Sequence, residues 1–344
     1  MADERFTGRW KFIQAHPVLP FLILFILVFF LSFASGRYPV DPVTLVKVLV
    51  SRIADIPQTW TDQAETVIFR IRLPRVLIGA LIGCGLSLSG LVYQGIFQNP
   101  MVSPDVLGST SGSAFGSAVA LLLGLSYTSI FSISFLFGLL SVGLVVFISH
   151  RVRGNQVLTL VLTGMMISFL FNSMLSYVKL VADTDDVLPQ ITYYLIGSLN
   201  STRTSDLIAC AFFIIIPAVI IYLIRWPLNV ITTGDEEASS LGINTKVIRL
   251  TAILCATLMT SASTAAAGMI GWVGLIVPHL VRMLIGCDYR FSIPATALLG
   301  SAFLMFTDML SRILTTSEIP IGILTSFIGS PFFLYLIIRE GRKT

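Results

Sequence analysis

Charge is what this chain has least of. Asp, Glu, Lys and Arg make up 12% of its 344 residues, against about 25% in a soluble domain. That scarcity excludes a strongly charged nucleic-acid-binding surface, and the net charge of +4 is too small to suggest one. Cysteine is also sparse. Cys84, Cys210, Cys255 and Cys287 form no CxxC pair and no regular spacing, so neither a disulfide framework nor a zinc site is expected. His16, His150 and His279 lie far apart, and no metal-ligating cluster forms around them. No GxxxxGK[ST] stretch occurs, so the chain carries no Walker A loop to cradle nucleotide phosphates. No HExxH or GxSxG motif occurs either, which argues against an enzyme. Apart from Asp308, late in one apolar run, and Asp105, beside a loop, no carboxylate lies deep in a run. Proton- and sodium-driven carriers need such groups. Their scarcity weakens a secondary carrier, which stands as the rival reading.

What is present is apolar sequence: 55% of the residues are hydrophobic, in runs long enough to cross a bilayer. The runs are Val18–Ala34, Val76–Phe97, Val106–Leu123, Tyr127–Ser149, Val157–Leu180, Asp206–Trp226, Val247–Ala267, Met269–Ile285, Phe291–Ile313 and Ile319–Ile338. A shorter stretch at Leu188–Leu199 counts as a partial helix. An all-α, polytopic membrane protein of about ten spans follows. It reads as one transmembrane domain over 1–344: a first span at 18–34, an external segment at 36–75, spans at 76–226, a polar loop at 227–246 and spans at 247–338. The N-terminal run has no clear small-residue cleavage site after it and reads as a retained anchor. Within 36–75, "YPVDPVTLVKVLVSRI" predicts a short amphipathic helix outside the core.

An even span count puts both termini on one side. Thirteen of the 22 basic residues fall on that side, and six of the remainder crowd into 36–75. By the positive-inside rule the termini are cytoplasmic. "RIRLPR", with Arg70, Arg72 and Arg75, then faces outward, against the usual bias. Two explanations stay open from topology alone: headgroup anchoring by snorkelling guanidinia, or an acidic partner.

Three further stretches stand out. In "NVITTGDEEASSLGINTKVIR", Asp235, Glu236 and Glu237 suit the first turn of a short helix. Ala238, Leu241 and Ile243 offer apolar contacts, and Gly242 ends the helix. This longest cytoplasmic loop suits docking into a partner's groove. "QNP", Gln98–Pro100, suits a helix break. "VPHLVR", with His279 and Arg282, suits a structural hydrogen bond or a motor contact better than a metal ligand. The glycines at 79, 83, 90, 268, 271 and 274 suit close helix contact. "GLSLSGLVYQGIFQNPMVSPDVLG" and "TAAAGMIGWVGLIVPHLVRMLIG" share a small-residue, Pro-turn layout that suits an internal repeat.

"IRLPRVLIGALIGCGLSLSGLVYQGIFQNPMVSPDVLG", "GMIGWVGLIVPHLVRMLIGCDYR" and "EIPIGILTSFIGSPFFLYLI" closely resemble the FecCD-type permease subunits of ABC importers for iron-siderophores, haem and cobalamin, in order from about Arg72 to Arg339. Departures are small: Met101 and Val102 replace a common leucine and alanine, and Trp272 a common phenylalanine. The resemblance implies a cobalamin-importer permease-like fold in a bacterial or archaeal cytoplasmic membrane, and a homodimer with the path along its axis. It implies two ATPase subunits docked at Glu237, Ala238, Leu241, Gly242 and Ile243, with ATP and magnesium held there and no cofactor in this chain. It implies an extracytoplasmic binding protein whose acidic residues meet Arg72, Arg75 and Arg312, leaving Arg70 as an anchor. It also places Asn155, Gln156 and Thr159 at a cytoplasmic gate, and Met165, Met166, Asn172, Met174 and Tyr177 along the path. Its substrate is an iron-siderophore or related chelate, with haem, cobalamin or an oxyanion such as molybdate as alternatives.

Overall fold

Helix α1 spans Leu19–Ala34, α2 Pro42–Val50, α3 Asp62–Thr66, α4 Leu73–Ile96, α5 Ser109–Leu122, α6 Tyr127–Arg151, α7 Gln156–Val181 and α8 Val187–Ile196. Then come α9 (Thr204–Leu223), α10 (Arg225–Ile231), α11 (Asp235–Ser240), α12 (Thr245–Ala267), α13 (Val273–Ile285), α14 (Tyr289–Ile313) and α15 (Ile321–Gly341). The computed structural model describes residues 16–36, 38, 41–52, 57–152, 156–200 and 202–341. Among the described residues every regular element is helical. Six helices are long and apolar enough to cross a bilayer, and four shorter apolar helices accompany them. The short stretch expected to be a partial helix is α8, ten residues long.

The segment before α4 is continuous with it. Helix α3 runs through a π-helical stretch, Val67–Arg72, into α4, where Pro74 sits in the first turn. The predicted amphipathic helix is α2. Asp41 caps it, accepting from the Val43 and Thr44 backbone amides at 3.1 and 3.3 Å.

Small residues place α4 at the centre. Its lead-in and body form a 35-residue rod whose most apolar window is 83% buried, and the corresponding window of α12 is 78% buried. A Cβ on Gly83 would lie 2.2 Å from the Gly300 carbonyl oxygen of α14, and one on Gly90 only 1.7 Å from the Gly274 carbonyl oxygen of α13. Backbones therefore touch at both crossings, as apolar solvent allows when side chains are absent. Of the glycines expected at helix contacts, Gly83, Gly90, Gly268 and Gly274 are there, Gly268 against the Tyr194 carbonyl of α8. Gly79 is close to a side chain rather than a backbone, its Cβ meeting Leu199 Cδ1 at a tight 3.3 Å. Gly271, in the break between α12 and α13, faces open space and makes no such contact. Gly268 turns that break with φ 73°, and Trp272 completes it with φ 71°, its ring set edge-on to Phe333.

Gly90→Ala is expected to destabilise the protein by at least about 2 kcal/mol, because neither facing backbone can yield to the added methyl. Gly271→Ala should cost far less. Thermal unfolding of the two variants in one detergent checks the contrast; equal melting temperatures would refute the close crossing.

The outer helices are different. Only 22% of the α7 window and 28% of the α9 window are buried. On α7 the buried residues form one stripe, Leu160, Gly164, Ile167, Phe171, Leu175 and Val178. Gly164 lets that stripe lie against the Val106 backbone. The opposite face is open.

Candidate functional site

The bundle has two polar ends, and chemistry-bearing side chains gather at both. At the end where α4 begins and α14 finishes, Arg75 reaches three ways. Its Nε donates to Asp308 Oδ1 at 2.9 Å. Its Nη1 and Nη2 donate to the two carboxylate oxygens of Glu318 at 3.2 and 3.0 Å, a bidentate fork. Arg312 approaches the same Asp308 from one turn on, its Nε 3.1 Å from Oδ2. Its Nη2 donates to Ser32 Oγ at 2.9 Å and its Nη1 to the Ser35 carbonyl at 3.1 Å, tying α14 to the end of α1. Arg72 points into the same seam and donates to the Phe33 and Tyr38 carbonyls.

Arg72, Arg75 and Arg312, expected to meet an acidic partner, do not stand free on the surface. Arg72 is 4% exposed and Arg312 8%, and all three guanidinia are already partnered within the chain. The physical reason is the cost of an unpaired guanidinium beside apolar helices. The chain provides carbonyls at α1 and carboxylates at Asp308 and Glu318 to satisfy it. Glu318, with its side chain 20% exposed, is the open member of the cluster. Arg70 is exposed.

At the opposite end, the acidic loop forms the short helix α11, with Asp235, Glu236 and Glu237 in its first turn. Ala238 is fully buried beneath it. Gly242 follows with φ 78° and open space around it, and the Ile243 amide returns to the Ala238 carbonyl at 3.0 Å. Leu241 is 62% exposed at the tip, an apolar knob held on a rigid turn.

One residue at this end was missed by sequence reasoning, which counted Arg249 only as a topology charge. It is buried in α12. Its Nη2 donates to both Asp235 oxygens at 2.9 and 3.2 Å, and its Nη1 reaches Gln156 Oε1, at the start of α7, at 3.4 Å. Arg249 thereby joins the α11 turn to the first residue of α7. The available signal was an arginine one turn inside an apolar run that had Asp235 upstream.

Of the expected gate residues, Gln156 and Thr159 lie in the first turn of α7, and Asn155 lies outside the described residues. Met165, Met166, Asn172, Met174 and Tyr177 are all exposed on the open face of α7, Met166 and Tyr177 each at 66%. None of the five packs in the core of the single chain.

The "QNP" stretch does end α4, with Gln98 in the left-handed region at φ 49°. Beside it Asp288 caps α14. The Arg290 backbone amide and the Asn229 side-chain amide, at 2.9 and 2.8 Å, hold its carboxyl below the ordinary carboxylate range. Among the described residues no group of three potential metal ligands forms.

A bundle of broken and unbroken apolar helices, closely crossed at its centre and open along one face, with a rigid polar turn at one end, defines a membrane permease. The FecCD transport family matches residues 24–339, and the chain belongs to that family of ABC transporter permease subunits. It is 35% identical over 331 residues to the molybdate import system permease MolB of Haemophilus influenzae, covering 96% of this chain and 98% of that one. It is 34% identical to the hemin transport system permease HmuU of Yersinia pestis, covering 78% of this chain and 82% of that one. A solved metal-chelate type ABC transporter in an inward-facing conformation superposes with a TM-score of 0.84 at 35% identity, covering 94% of this chain and 98% of its counterpart.

Proposed function

We propose that two copies of this chain form the path of a binding-protein-dependent importer, driven by ATP hydrolysed in two partner subunits on the cytoplasmic side. The observation that carries this reading is the α11 turn. An exposed Leu241 beside an unobstructed Gly242 is what a partner's groove would grip, and Arg249 ties that turn to α7. Both termini are cytoplasmic in this arrangement, and the α7 face bearing Met165, Met166, Asn172, Met174 and Tyr177 lines the path between the two copies. The gate lies at Gln156 and Thr159, and Asn155 precedes it in sequence. This chain makes no covalent chemistry and holds no cofactor; ATP and magnesium belong to the partner. The acidic binding protein docks at the outer end, at the Arg75–Asp308–Glu318–Arg312 cluster, with Arg72 bracing it from within.

The substrate class is a metal chelate, an iron-siderophore or related species, with haem, cobalamin and the oxyanion molybdate as alternatives. The full-length similarity to a molybdate permease favours the oxyanion as the second reading. Uptake into cells lacking their own carriers, with the cognate binding protein and radiolabelled iron chelate or molybdate, separates the two. Iron-chelate uptake supports the first and molybdate uptake the second. Accumulation of neither, nor of haem or cobalamin, would remove this substrate class.

A further inference from the structure

Helix α2 is apolar on two sides, and only one of them is packed. Leu45 and Val48, 2% and 0% exposed, join Phe33 of α1 and Ile68 of the π-helical stretch in one cluster. On the opposite face Val43, Val46 and Val50 stand 61%, 51% and 39% exposed. Their i, i+3, i+7 spacing aligns them in one stripe along the helix. Single apolar residues on a surface are ordinary, but an aligned apolar stripe needs a cover.

The helix cannot roll that stripe inward. Just past its end, Arg52 donates to Glu65 Oε1 at 3.0 Å and lies over the Phe69 ring at 4.7 Å, which pins α2 to the lead-in of α4. Depth follows from length. The rod from Asp62 to Ile96 has 35 residues, about 50 Å at a helical rise, whereas bilayer hydrocarbon is about 30 Å thick. The uncharged part, from Val76 to Ile96, matches that thickness, so the charged start projects beyond it. Packed on Ile68 of that start, α2 lies at headgroup depth. Beside it α1 exposes Leu27, Phe30 and Leu31, which places this flank of the bundle against lipid. Lys47, one residue after Val46, and Arg70 of the lead-in are exposed and form no ion pair among the described residues.

We propose that α2 is a membrane-surface helix that seats on anionic lipid, with Val43, Val46 and Val50 at the acyl boundary and Lys47 and Arg70 against lipid phosphates. Apolar burial and attraction to anionic headgroups act together on such a helix. The cations crowded into this segment then divide in two. Arg72 and Arg75 are partnered within the chain, and Lys47 and Arg70 are met by the bilayer. Because Arg52 and Ile68 couple α2 to the lead-in of α4, the seat also fixes the depth of the central rod. Neither the motor nor the substrate takes part in it.

The test places a nitroxide on Val46→Cys in the full-length permease carrying Cys84→Ala and Cys287→Ser, in nanodiscs of equal phosphatidylglycerol and phosphatidylcholine. Collisions with oxygen, which concentrates in lipid, should exceed those with a water-soluble nickel chelate, as they should for Leu27→Cys on α1. Asp62→Cys, exposed at the start of the rod, should show the reverse order. Native mass spectrometry of lipid retained from the same nanodiscs should show phosphatidylglycerol preferred. Lys47→Gln combined with Arg70→Gln should cut that preference about fivefold or more. Nickel collisions exceeding oxygen collisions at Val46→Cys would overturn the lipid seat. So would nickel access that falls only when the binding protein is added, which would make the stripe a protein contact. An unchanged lipid preference in the double variant would overturn the pairing of Lys47 and Arg70 with phosphate.

Discussion

Replacing Arg249 with alanine is expected to cut substrate uptake per ATP hydrolysed by about tenfold or more, with the permease still assembled. Arg249 makes a bidentate contact to Asp235 and a longer one to Gln156. Hydrogen bonds to charged groups contribute about 1.5–3 kcal/mol each, so the guanidinium is the stiffest polar link between the α11 turn and α7. Its partner Asp235 has a side chain 54% exposed. Removing the arginine thus lets that carboxylate hydrate and strands no buried charge, which keeps the fold cost small. The motion of α11 then no longer reaches the start of α7. Arg249→Lys keeps the charge but loses the fork and should fall between. Uptake and ATP hydrolysis measured together in proteoliposomes check this, and an unchanged ratio in Arg249→Ala would contradict it.

The second large effect concerns Asp308 and Glu318, which share Arg75 but should behave in opposite ways. Asp308 has a side chain 2% exposed and lies between Arg75 and Arg312. Asp308→Ala leaves two buried guanidinia facing each other and should destabilise the permease by about 3–5 kcal/mol, seen as loss of assembled protein. Glu318 is the open member, and it occupies the fork that a carboxylate of the proposed binding protein would use. Glu318→Gln frees that fork while Asp308 still anchors Arg75. We expect it to tighten binding-protein docking about tenfold at low ionic strength, with the gain fading as salt screens the pair. Weaker docking in Glu318→Gln, measured by surface-immobilised binding, would contradict this partner exchange. Charge reversal of Arg72 and Arg75, which the sequence suggests would weaken docking and spare insertion, is now expected to damage the fold as well. Arg72 holds the Phe33 carbonyl of α1 and the Tyr38 carbonyl beyond it, and a glutamate there would repel both.

Periodicity and run length made the architecture legible. The α2 amphipathic helix, the partial helix α8, the α11 turn and the arrest of α4 at "QNP" all follow from local chemistry: caps, prolines, glycines and apolar runs. The FecCD resemblance made the family legible, through blocks too long to be coincidental. Pairings between residues far apart in sequence were not legible. Arg75 and Glu318 are 243 residues apart, and Arg249 and Gln156 are 93 apart. One sequence without its fold shows Arg72, Arg75 and Arg312 but not the carboxylates that neutralise Arg75 and Arg312, nor the carbonyls that hold Arg72. Likewise the methionines of α7 have helical spacing whether they pack or lie open. Only the position of the buried stripe, centred on Leu160, Gly164 and Phe171, decides between the two.

The central claim is that this chain is a path whose motor lies in another subunit. The most direct measurement is uptake into proteoliposomes containing the purified permease, with and without its ATPase and binding protein. Accumulation only when both partners and ATP are present is the predicted result. Accumulation by the permease alone, driven by a proton or sodium gradient, would contradict the account.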